Sequence, residues 1–99
     1  MHRSLKFTKK ADADLDALEN DPSKKRILKE VRKTLAFMET NLRHPSLSTH
    51  EFTSLKGADG EKVFEAYAQQ NTPGAYRVFW HYDPEANQLT IVTITPHPN

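Results

Sequence analysis

The stretch Lys62 to Pro98, KVFEAYAQQNTPGAYRVFWHYDPEANQLTIVTITPHP, decides the fold. Lys62 to Ala68 is rich in apolar and aromatic residues, Ala75 to Tyr82 repeats that character, and Gln88 to Thr95 is dominated by β-branched residues, which suit a pleated, half-buried surface. QQNTPG and DPEAN supply the turn residues between them, and connections this short join antiparallel neighbours. A three-stranded meander is expected.

Register then determines which side chains share a face, because a slip of one residue turns a whole strand over. Placing Phe64, Ala66, Val78, Trp80, Val92 and Ile94 together collects a compact apolar set for the core. The opposite face then carries Glu65, Tyr67, Arg77, Phe79, His81, Thr93 and Thr95, with His97 just beyond the last strand.

Working upstream, Ser4 to Thr8 alternates polar and apolar residues and reads as a short first strand. From Lys9 the spacing of Ala11, Leu15 and Leu18 becomes helical, and Asp12, Asp14 and Asp16 suit the positive end of a helix dipole. Asn20, Asp21 and Pro22 interrupt it, with Asp21 an N-cap and Pro22 at the first position of the next helix. In that second helix Leu28, Val31, Leu35, Met38 and Leu42 form one stripe, widened by Ile27 and Phe37. Lys24, Lys25, Arg26, Lys29, Arg32 and Lys33 crowd its outer face, a run that reads as a solvated surface. The segment from Arg43 to Glu61, RHPSLSTHEFTSLKGADGE, lacks sustained periodicity and reads as a connection anchored by Leu47, Phe52 and Leu55.

The expected fold is therefore α+β in the order β-α-α-β-β-β, an antiparallel sheet with two helices packed on one face. Ninety-nine residues with 36% hydrophobic content make one domain, residues 1–99, with one modest core. The absence of cysteine excludes disulfides, thiol catalysis and cysteine-based zinc sites. No apolar run suits a signal peptide or a membrane span, so the expectation is a soluble, cytoplasmic protein without membrane contact. His44 and His50 stand near Glu51 in the long connection, at a spacing that fits no standard metal motif, and no metal or other cofactor is assigned.

The polar face of the meander carries the chemistry. An arginine can hold a phosphate through its planar donor fork, a histidine can give or take a proton near neutral pH, and a carboxylate can act as the complementary base. Together they suit attack of an RNA 2′-hydroxyl on its adjacent phosphate, with Glu65 as base, Arg77 stabilising the developing charge and His97 or His81 as acid. Tyr67 or Phe79 is placed to stack on a base. The alternative reading makes Glu65 and Arg77 a cross-strand ion pair and His97 a frayed tail.

The run AYRVFWHYDPEANQLTIVTITPH, Ala75 to His97, resembles the C-terminal sheet of the RelE/ParE toxin superfamily, in which a Tyr-Arg pair opens a strand, an acidic turn follows and a β-rich strand ends near a histidine or arginine. Leu55 to Gly57, LKG, is similar to that family's loop. The resemblance implies a RelE-like fold and, for RelE-like members, a ribosome-dependent, metal-independent mRNA endonuclease neutralised by a small antitoxin. It implies Arg77 as the phosphate-binding arginine, His97 as the acid, Glu65 as a looser counterpart of the base, and Lys56 and Lys62 as backbone contacts. The expected partners are RNA or the ribosome and a cognate antitoxin, with the oligomeric state open. ParE-like members act on DNA gyrase and need no acid–base set. This chain departs from the nuclease pattern in its net charge of +1 and in lacking a second arginine at its C-terminal end.

Overall fold

The computed structural model describes residues 2–70 and 72–97. Strand β1 (Ser4–Phe7) precedes helix α1 (Lys9–Glu19). A 3-10 turn (Pro22–Lys24) leads into α2 (Lys25–Thr40), and a second (Pro45–Leu47) leads into β2 (His50–Lys56). Strands β3 (Lys62–Tyr67), β4 (Tyr76–Tyr82) and β5 (Gln88–Pro96) complete the chain. The sheet order is β1-β5-β4-β3-β2, antiparallel except for β1, which runs parallel to β5. The α+β architecture and the meander are as expected. The sheet is mixed, however, and β2 is a strand where a connection was expected.

The local signals explain most element ends. Thr8 caps α1, its hydroxyl accepting from Ala11 N, and Asp21 caps the 3-10 turn by accepting from Ser23 N. Pro22 stands at the first position of that turn, where its missing N–H has no partner to lose. The basic run on α2 stays solvated, with Arg32 reaching Glu19 at 2.8 Å and Arg26 reaching Glu30 at 3.6 Å. Asn71 of the expected QQNTPG turn and Pro98 lie outside the described residues.

Both helices pack on one face of the sheet. Ala11 and Leu18 of α1 and Val31, Leu35 and Met38 of α2 meet Ala66, Val78, Trp80, Leu89, Ile91 and Ile94. Phe64 pairs with Trp80 and Ala66 with Val78, in agreement with the register drawn from the sequence. Val92 is the exception. Phe79 pairs with Thr93 while Trp80 pairs with Ile91, so Val92 is an extra residue in a β-bulge. The bulge shifts the phase of β5, so that Leu89 and Ile91 enter the helix-side core and Val92 instead lines a groove with His81 and Thr93.

The shortness of β1 leaves a stretch of edge to be satisfied. Strand β1 ends at Phe7, opposite Ile91, and beyond it the outer side of β5 has no partner strand. The Thr8 hydroxyl donates to Val92 O at 2.7 Å, and the Asp14 carboxylate accepts from Ile94 N at 2.9 Å and from the Thr93 hydroxyl at 2.6 Å. Side chains of the first helix thus continue the hydrogen bonding that the short strand abandons. Burial pushes the Asp14 carboxyl up, but the bonds from Lys10, Thr93 and Ile94 outweigh it and hold the group below its ordinary value of 3.8.

Asp14→Asn is expected to cost about 1–2 kcal/mol in urea unfolding at neutral pH, since it weakens charge-assisted bonds to β5. Because the folded value is lowered, this contribution is fully present above pH 3.8 and fades as pH falls through the folded value. The acid limb of stability against pH should accordingly be shallower in the variant. Parallel limbs would show that Asp14 contributes nothing through its charge.

Candidate active site

Four strands bring side chains to one carboxylate on the face away from the helices. Alternation along β3 turns Glu65 to that side together with Val63 and Tyr67, and Glu65 is 0% exposed. Arg77 of β4 pairs with Tyr67, which sets its guanidinium over the tyrosine ring at 3.7 Å from the centroid. Its Nε lies 3.6 Å from Glu65 Oε2, while Nη1 donates to Gln69 O at 2.5 Å and to Tyr76 O at 3.2 Å.

Histidines approach the carboxylate from both sides. His97 follows β5, and its backbone N–H donates to Ala75 O at 2.8 Å, so it is pinned beside the start of β4. Its Nε2 lies 3.1 Å from Glu65 Oε2. His50 opens β2 directly opposite Glu65, with Nε2 at 2.7 Å from Oε1 and Nδ1 at 2.9 Å from Ser48 O. The side chains of His50 and His97 are 48% and 39% exposed, so both link the buried carboxylate to solvent.

These contacts are close without being aligned. Although the distances are short, neither Glu65 oxygen nor Arg77 Nε has a partner of hydrogen-bonding geometry among the described residues. A buried ion in that condition is held mainly by surrounding charge, and removing a partner exposes a desolvation cost of several kcal/mol. The carboxylate is further shut in by β2. His50 and Glu51 pair with Glu65 and Phe64, yet Lys56 already pairs with Lys62, so four β2 residues bulge against Val63 alone. Phe52, within the bulge, stands edge-on to Phe79 at 4.9 Å and to His97 at 6.3 Å.

The structure therefore joins Glu65, Arg77, Tyr67 and His97, as the sequence register implied. It corrects the open face: the centre of that face is roofed, and the carboxylate is sealed beneath histidines. His81 is not part of the cluster. It lies four residues from Arg77 along β4, about 13 Å away, with Nδ1 against Tyr82 O at 2.8 Å. There it faces a separate groove lined also by Lys56, Glu61 and Asp83. Asp83 in that groove is held below the usual carboxylate range by the Glu85 N–H and the Thr90 hydroxyl. Lys56 and Lys62 face each other across the far end of the β2–β3 pair, both exposed, and Lys62 has the phase of Phe64 rather than of Glu65. Neither lysine joins the cluster.

His50 is the member that sequence reasoning missed. Its signal would have been a strand beginning at His50, which the bulge conceals. Among the described residues no group of three or more acidic or histidine side chains has the arrangement of a metal site, and the two imidazoles contact different oxygens of Glu65.

The mixed five-stranded sheet with two helices on one face is a fold shared with solved structures of YoeB, RelE and YafQ toxins. The chain has a TM-score of 0.69 with the YoeB/ParE toxin from Agrobacterium tumefaciens, at 12% identity over 96% of this chain and 99% of that one. It is similar also to the archaeal RelE of the RelE-RelB complex from Pyrococcus horikoshii OT3, with a TM-score of 0.64 at 16% identity over 97% and 96% of the two chains. For the YoeB dimer from Staphylococcus aureus the TM-score is 0.63 at 14% identity over 99% and 100%. No protein-family model and no curated protein matches the sequence. At these identities the likeness is one of fold, and it agrees with the resemblance carried by Ala75 to His97.

Removing Arg77 alone should be far worse than removing the pair. Arg77→Met is expected to lose about 3–5 kcal/mol, because Glu65 keeps its buried charge without the guanidinium, whereas Glu65→Gln combined with Arg77→Met should recover most of that loss. Urea unfolding of the two single variants and the double variant measures the coupling. Additive losses would mean that the two side chains do not act as a pair.

Proposed function

We propose that this chain is a toxin of the endoribonuclease kind, cutting mRNA on the ribosome by acid–base chemistry that needs no metal, in the cytoplasm, and held in check by an antitoxin protein. The observation that carries this reading is the meeting of Arg77, His97 and His50 around buried Glu65. The RNA 2′-oxygen attacks the adjacent phosphorus and the 5′-oxygen leaves, giving a 2′,3′-cyclic phosphate and a 5′-hydroxyl. Arg77 is 8% exposed, with Nε turned to Glu65 and Nη1 bonded to Gln69 O and Tyr76 O, so its fixed positive charge would stabilise the charge that develops on the phosphate from within the cluster. His97 would supply the proton to the leaving 5′-oxygen.

Burial refines the role of Glu65. A carboxylate with no exposed surface does not touch substrate, so it enters the acid–base set through His50, which touches it and reaches solvent. Both ring nitrogens of His50 face acceptors, Glu65 Oε1 and Ser48 O, so the imidazole would take the 2′-hydroxyl proton only by turning Nε2 from Glu65 toward the substrate, while Glu65 orients both imidazoles as a positioning residue. Tyr67 holds the arginine from below by its ring face. Lys56 and Lys62, being remote from the cluster, would serve as contacts to distant phosphates of a large RNA. Two neighbours of like fold were solved in complexes, RelE-RelB and DinJ-YafQ, the latter a toxin-antitoxin complex, which supports an antitoxin partner here.

A second reading has a specific observation behind it. Net charge of +1 and a carboxylate set against Arg77 both weaken attraction for RNA, which favours a protein-binding module of the same fold, gyrase-directed or inert. Induction of the wild-type chain in bacteria without an antitoxin should arrest growth and fragment ribosome-bound mRNA. His97→Ala, at a half-exposed position, should reduce both by at least about 100-fold, as expected for loss of a general acid, with circular dichroism showing the variant folded at the assay temperature. Arrest with intact mRNA and blocked DNA supercoiling would establish the gyrase reading instead. Healthy growth at high expression would defeat both toxin readings.

A further inference from the structure

The helix-side core is not fully covered at the edge beneath the end of α2. There Phe64 stacks on Trp80, with ring centroids 5.0 Å apart and planes 27° from parallel. Tyr82 stands edge-on to both, at 5.8 and 5.0 Å. Trp80 is buried, but Tyr82 is 52% exposed, the one large hydrophobic residue so exposed among the described residues. This aromatic floor belongs to a groove of about 370 Å³ whose sides include Arg3, Arg43 and Thr49.

The charge of the groove is one-sided. No carboxylate lines it, whereas the groove beside His81 is lined by Asp59, Glu61, Asp83 and Glu85. Neither Arg3 nor Arg43 takes part in a salt bridge among the described residues. Flat aromatic surface flanked by unpaired guanidinium groups is the chemistry that receives an unpaired base and its phosphate. The volume lies near the lower end of the ~300–1,000 Å³ typical of small-molecule sites, which suits a single nucleotide.

Position connects this groove to the acid–base cluster. Ser48 and Thr49 border the groove, and His50, the next residue, touches Glu65 on the opposite face of the sheet. Strand β2 is the sheet edge, so a single strand of RNA passing over this segment has one nucleotide on each side of it. We propose that the groove is a nucleotide subsite, in which an unpaired base stacks on Tyr82 and Phe64 and its phosphate lies between Arg3 and Arg43. The subsite rests on the RNA reading above and adds to it a second point of grip, remote from Arg77. An apolar side chain of a protein partner would cover the aromatic floor but leave both guanidinium groups without a counter-charge.

The chain has one tryptophan, so its indole N–H gives a single resonance that reports on this groove. The 99-residue chain is titrated with a single-stranded pentaribonucleotide carrying 2′-O-methyl groups, which cannot be cut by the proposed chemistry. The Trp80 resonance should move as the oligonucleotide binds. Tyr82→Ala and Arg43→Ala, both at exposed positions, should each weaken binding about tenfold, as expected for one lost stack or one lost phosphate contact. Tyr82→Phe should bind like wild type. An oligonucleotide that binds without moving Trp80, or that binds both alanine variants with full affinity, overturns the subsite. So does a Trp80 resonance that moves with an acidic peptide and not with the oligonucleotide. Cleavage of unmodified mRNA on ribosomes is followed in parallel. A chain that binds at Trp80 but cuts nothing defeats the nuclease reading alone, and one that cuts with an unmoved Trp80 defeats the subsite alone.

Discussion

A carboxylate buried in the middle of a sheet must be surrounded, and Glu65 imposes that requirement on every strand near it. β4 supplies Arg77, the end of β5 supplies His97 and the start of β2 supplies His50. None of these partners is adjacent in sequence, so their convergence depends on the register of β3 against both neighbours. The β2 bulge follows from the same need, for a regular ladder would carry β2 flat along the edge. Bulging lets Phe52 turn over the face and exclude water from Phe79 and the flank of His97. Exclusion of water strengthens each charge contact beneath it and equally raises the cost of breaking one.

The two bulges divide the work of the two sheet faces. On the helix side, the extra residue at Val92 lets β5 present Leu89, Ile91 and Ile94 to the core despite an odd spacing. On the other side, the bulge in β2 closes the polar cluster. The chain crosses between these tasks at Thr8 and Asp14, whose side chains bond to β5 where β1 has ended. Helix α1 is therefore tied to the sheet by hydrogen bonds as well as by the burial of Ala11 and Leu18.

What the sequence disclosed follows from where its patterns are regular. Helix α2 has an unbroken apolar stripe, and the facing of Phe64, Ala66, Val78 and Trp80 could be read because β3 and β4 pair without a bulge. Strand β2 could not be read for the opposite reason. Phe52 and Leu55 are three residues apart, a spacing that fits no alternation, because the strand leaves its ladder between Glu51 and Lys56. His50 was lost with it. In β5 the residues Ile91, Val92 and Ile94 are all apolar and β-branched, so either phase places hydrophobic groups toward the helices and nothing marks the bulge. Asp14 reads as an ordinary helix acid, since its bonds to Thr93 and Ile94 span about eighty positions of chain.

Charge bears on how such a site would meet RNA. Glu65 and Arg77 carry opposite charges, so the pair by itself has no net attraction for a phosphodiester. An arginine already set against a carboxylate would give up standing affinity for phosphate, and its fixed position between Tyr67 and Glu65 would instead favour charge that develops during a reaction. That trade suits a chain of net charge +1, which lacks the broad basic surface on which phosphate affinity otherwise rests.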